Sequence, residues 1–67
     1  MDLARSIRIG LAREGKTQGW LSEQIGAARP TICHYCTGKA QPGPERIRQM
    51  AEVFGMTVSE FIALGEK

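Results

Sequence analysis

Arg29, Cys33, His34 and Cys36 fall within eight residues of one another and are the side chains of this chain best suited to chemistry. Cys33, His34 and Cys36 form a CHxC cluster, a set of donors that suits zinc. Structural zinc takes four ligands in a tetrahedron, and the chain holds no other cysteine or histidine to complete one. No intramolecular metal site and no cofactor are therefore expected, and a site shared between two chains is the only route to a full ligand set. Catalysis finds no footing either. His34 is the only histidine, no carboxylate lies near it in sequence, and no glycine-rich phosphate loop precedes a helix. The two cysteines, three apart on one predicted helix, are badly placed for a local disulfide and read as reduced thiols. Arg29 offers something else: its guanidinium fork can donate two hydrogen bonds to O6 and N7 of a guanine. The plain alternative is a surface arginine.

Charge supports a polyanionic partner through its distribution. The net charge is only +2. Residues 1–40 carry Arg5, Arg8, Arg13, Lys16, Arg29 and Lys39 against Asp2, Glu14 and Glu23, whereas residues 41–67 are slightly acidic. From Gln24 to Pro44 there is no acidic residue at all, so this span is where a polyanion can approach. A chain of 67 residues makes one domain, residues 1–67, with a marginal core that dimerisation would help to stabilise. No apolar run approaches the ~20 residues needed to cross a bilayer. The opening MDLARSIRIG alternates charge where a signal peptide has an apolar core, so a cytoplasmic protein with no membrane partner is expected.

The elements that must position these residues are five helices, with no convincing strand. Leu3, Ile7 and Leu11 recur every four residues and predict a first helix over about Asp2 to Glu14, weakened by Gly10. Thr17 can cap a second helix, Gln18 to Ile25, in which Leu21 and Ile25 share a face. Gly26 stops it, being able to enter the left-handed conformation of a C-terminal cap. A third helix restarts at Arg29 and runs to roughly Tyr35 with Ile32 facing inward, and Gly38 closes it. Ala28 supplies no side-chain cap, which removes ~1 kcal/mol of stabilisation from that helix. After the loop GKAQPGP, Pro44 opens a fourth helix to Phe54 with Ile47, Met50, Ala51 and Phe54 as its apolar stripe. Thr57 and Glu60 make a capping box for a fifth helix carrying Val58, Phe61, Ile62 and Leu64. Trp20 reads as a packing residue at a helix edge.

The segment from Thr17 to Gly38 resembles the helix-turn-helix of the Cro and phage-repressor (XRE-like, Cro/C1-type) family. In that family a Thr-Gln pair opens the first motif helix, a Leu follows three residues after the Gln, a Gly marks the turn, and Thr-Ile lies inside the recognition helix. Here these are Thr17, Gln18, Leu21, Gly26, Thr31 and Ile32, with Gly38 where the family usually has Asn-Gly. The likeness extends over about residues 3 to 64. It implies an all-α, five-helix, lambda-repressor-like DNA-binding domain with the motif at helices two and three.

The resemblance also implies roles for single residues. Aligned on Gly26 and Ile32, the family's base-reading positions fall on Arg29, Pro30, Cys33 and His34. Pro30 departs from the usual polar residue, but it is tolerated in a first helical turn and its ring can touch a thymine methyl. The rotation of the helix decides whether Cys33 or His34 meets bases or the sugar-phosphate edge. Phosphate contacts are expected from Thr17 and Gln18 at the start of helix two and from Thr37, Gly38 and Lys39 after helix three. Tyr35 belongs to the same group, or is structural with its hydroxyl on the backbone. Val58, Phe61, Ile62 and Leu64 are the candidate dimer interface.

The function so implied is sequence-specific binding of double-stranded operator DNA by a homodimeric transcription regulator, of the kind a phage or prophage Cro-like repressor supplies, at work on the nucleoid. With so little chain after helix five, no ligand-sensing or enzymatic domain and no small-molecule ligand is expected. An antitoxin-like autorepressor is an alternative, though no toxin-wrapping tail is visible. So is a helix-turn-helix fold used only as a protein-interaction module.

Overall fold

The computed structural model describes residues 2–66. Five helices follow one another: α1 Leu3–Glu14, α2 Gln18–Ile25, α3 Arg29–Thr37, α4 Pro44–Val53 and α5 Val58–Leu64, with no strand among the described residues. The all-α architecture read from the sequence is correct, and the differences lie at helix ends. Asp2 stands outside α1 as its cap, its carboxylate accepting from the Arg5 N–H at 3.0 Å. Helix α3 runs two residues beyond Tyr35, because Gly38, at φ 81°, is the first residue to leave the helical region. Helix α4 stops at Val53, and Phe54 becomes its terminal cap.

The caps work as the residue types require. Thr17 Oγ1 accepts from the Trp20 N–H at 3.1 Å, and Gly26 ends α2 at φ 68°. Ala28 forms no side-chain cap, and Pro30 sits in the first turn of α3. At α5 the capping box is complete: the Thr57 N–H donates to Glu60 Oε1 at 2.8 Å and the Glu60 N–H to Thr57 Oγ1 at 3.1 Å.

One core joins the five elements. Ile7, Leu21, Ile32, Met50 and Phe61 are sealed from solvent, one from each helix. Phe54 lies between two aromatic neighbours, its ring centroid 6.3 Å from Trp20 and 5.9 Å from Phe61. Gly10, a weak helix former, is accounted for by this arrangement: a Cβ there would stand 3.0 Å from the Phe54 ring, so any larger residue would push that ring aside by a few tenths of an ångström. Trp20 packs against the core edge, with Lys16 Nζ 5.5 Å from its ring centroid.

Burial corrects one expectation. Phe61 is 0% exposed and belongs to the core, so it offers no surface to a second subunit. Val58 is exposed, while Ile62 and Leu64 are half-buried and pack at their inner edges against the core on either side of Phe61. No helix among the described residues is long and apolar enough to cross a membrane.

Candidate nucleic-acid interface

Helix α3 divides cleanly between core and surface. Ile32, Tyr35 and Cys36 are buried, while Arg29, Pro30, Cys33, His34 and Thr37 are exposed at the spacing that places them along one helical face. That face carries no acidic residue. The start of α2 stands beside it, so Thr17, Gln18 and Gly19 line an open notch together with Arg29, Pro30 and Cys33. The guanidinium of Arg29 folds across the notch toward Gly19. Thr17 spends its hydroxyl lone pair on the helix cap, which leaves its O–H free to donate to an incoming oxygen.

The C-terminal end of α3 is held by several groups at once. The His34 carbonyl accepts from Thr37 Oγ1 at 3.3 Å and from the Ala40 N–H at 3.2 Å, which fixes the first residues after the helix. Thr37, Gly38 and Lys39 are exposed there. Tyr35 differs from the expectation. Its ring packs in the core, and its hydroxyl makes no hydrogen bond to any described backbone group.

Two arginines unassigned in the sequence reading brace the two exposed helices. Arg8 of α1 donates to the Cys36 carbonyl in the last turn of α3, and Arg46 of α4 donates to the Ile25 carbonyl at the end of α2 at 2.9 Å. A cation at a helix C-terminus meets the negative end of the dipole as well as an unpaired carbonyl. Arg46 also donates to Gln49 Oε1 at 3.2 Å. Their basic charge at helical spacing was visible in the sequence, but the target carbonyls depend on tertiary packing. Arg48 is engaged too, pairing with Glu45 and Glu52 on the surface of α4. These are the ion pairs among the described residues, and neither involves Arg29 or Lys39.

The thiols do not converge. Cys33 is exposed and Cys36 buried, both free, and no group of three or more His, Cys, Asp or Glu among the described residues could hold a metal ion. Burial pushes the Cys36 thiol above its ordinary pKa and nearby Cys33 adds to the rise, with Arg8 acting the other way.

A family model described as a helix-turn-helix domain matches residues 2–64. The chain belongs to that family. It is a family of XRE/Cro-like helix-turn-helix DNA-binding domains, so α2 and α3 are the two helices of the motif. The comparisons with curated proteins and with solved structures gave no match.

Proposed function

We propose that the chain is a homodimeric, sequence-specific transcription regulator that places α3 in the major groove of an operator, in the manner of a Cro-like phage or prophage repressor. The observation that carries this reading is the exposed, acid-free face of α3, from Arg29 to Thr37, with the start of α2 alongside it. An α-helix fits the major groove, and its N-terminal residues are the ones that reach base edges. Arg29 is the principal base reader, with Pro30, Cys33 and His34 lining the rest of the contact. Thr17, Gln18, Thr37, Gly38 and Lys39 flank that face at its two ends, where phosphate contacts set the register of the helix.

In this reading the chain works as one domain, a binding module with no catalytic task, no cofactor and no small-molecule ligand, located with the DNA in the cytoplasm. Val58, Ile62 and Leu64 supply the surface for a second subunit, which relates two half-sites by a two-fold axis. Selection of binding sites from a pool of randomised duplexes tests the proposal. Enrichment of a palindrome with half-sites about one helical turn apart is the expected result. A pool that stays random contradicts it and favours use of the fold for protein interaction alone.

A further inference from the structure

Gly19 is a glycine that the backbone does not need. It lies inside α2, and its φ falls outside the left-handed region that Gly15, Gly26, Gly38 and Gly55 occupy. A glycine in helical conformation weakens the helix relative to alanine, because it loses more chain entropy on folding. The space beside it shows what the missing side chain allows. A Cβ at Gly19 would stand 2.8 Å from Nη2, 3.0 Å from Nε and 3.1 Å from Cζ of Arg29, and these three are its nearest neighbours. The guanidinium of the proposed base reader thus lies against a bare patch of α2.

We infer that Gly19 is a positioning residue for DNA recognition: the absent side chain lets the Arg29 guanidinium rest against α2, and this sets the direction in which the fork leaves α3. The inference rests on the reading of α3 as the DNA-contacting helix. Arginine has many rotamers, and ordering one on binding costs free energy. A guanidinium that already rests against α2 loses less. The atoms nearest a methyl group at position 19 are the far end of a flexible side chain, so the fold accommodates it and the guanidinium is what moves.

The test is a double-mutant cycle in the full chain with Gly19→Ala, Arg29→Ala and the double variant, titrated on a duplex selected by the wild-type chain and on a random-sequence duplex. Melting of Gly19→Ala should match or exceed that of the wild type, which separates the effect from misfolding. Gly19→Ala should weaken binding to the selected duplex by about ten-fold, the scale of one base contact, and should have no effect once Arg29 is alanine. Equal losses with and without Arg29, or no loss beside Arg29, overturn the inference. If Arg29→Ala weakens both duplexes equally while the coupling persists, the base-reading role falls and the positioning role stands. A second readout needs no DNA. The Arg29 Nε–H resonance in the free chain should shift in Gly19→Ala, and a resonance that stays in place overturns the positioning role whatever the binding result.

Discussion

Arg8 of α1 donates a hydrogen bond to the carbonyl of Cys36, joining the first helix to the last turn of α3 across 28 positions of sequence. The bond satisfies a carbonyl that the helix cannot pair itself, and it puts a positive charge at the negative end of α3. Arg46 performs the same service for α2 at Ile25. Each helix of the motif is therefore anchored at its C-terminus by a flanking helix, while the exposed face of α3 from Arg29 to Thr37 is left unobstructed.

Removal of this anchor should be felt as stability. Arg8→Ala should lower unfolding free energy by about 1–2 kcal/mol, the range for a charge-assisted bond at a helix end. Denaturant unfolding followed by circular dichroism measures it. An unchanged midpoint would show that α3 is held by Ile32 and Tyr35 packing alone.

The Cys36 thiol gives a pH dependence with a definite sign. Burial, reinforced by Cys33, raises its pKa, so the folded chain keeps a proton that the unfolded chain releases. Stability from this source is complete below the ordinary thiol value of about 8.5 and declines as pH rises through the raised one. Between about pH 7 and pH 9.5, wild-type stability should fall more steeply than that of Cys36→Ala. Parallel profiles would contradict the assignment.

Two positions on α5 separate core from surface. Phe61→Ala should cost about 3–5 kcal/mol, since Phe61 is completely buried against Phe54. Ile62→Lys should leave helical content nearly intact and shift sedimentation toward monomer. A wild-type chain that sediments as a folded monomer at every concentration, with and without DNA, would remove the dimer from the proposal.

Much of the fold was legible because local chemistry and tertiary packing agree. Thr17, Gly26, Gly38 and the Thr57–Glu60 box mark helix ends through contacts a few residues long. Leu3, Ile7 and Leu11 of α1, Leu21 and Ile25 of α2 and Ile32 of α3 are buried as their helical spacing predicts. Phe61 and Tyr35 were harder to place. A stripe of apolar residues on a short helix shows which side is apolar, but depth within the core is decided by what packs on it, here Phe54 in the case of Phe61. Tyr35 combines a core-forming ring with a polar tip, and the rotation of α3 alone determines where that ring goes. The roles of Arg8, Arg46 and Gly19 lie in contacts with other helices. A basic residue announces that it will find a carbonyl or an anion, not which one. Gly19 did carry a signal, as a glycine inside a helix with no turn to make, but its neighbour Arg29 is ten residues on and reaches it only through the fold.

The most direct measurement is a titration of wild type, Arg29→Ala and Lys39→Ala on the selected duplex and on random duplex across a salt series. We expect Arg29→Ala to cost ~1–3 kcal/mol on the selected duplex, less on random DNA, and to relax preference at one base pair per half-site. Lys39→Ala should weaken both duplexes by similar factors and reduce the salt slope by about one per subunit, as loss of a phosphate contact requires. A wild-type chain that binds neither duplex at low salt would contradict DNA recognition through α3. Equal weakening of both duplexes by Arg29→Ala, with base preference unchanged, would make Arg29 a backbone clamp and move specificity to Pro30, Cys33, His34 or DNA shape.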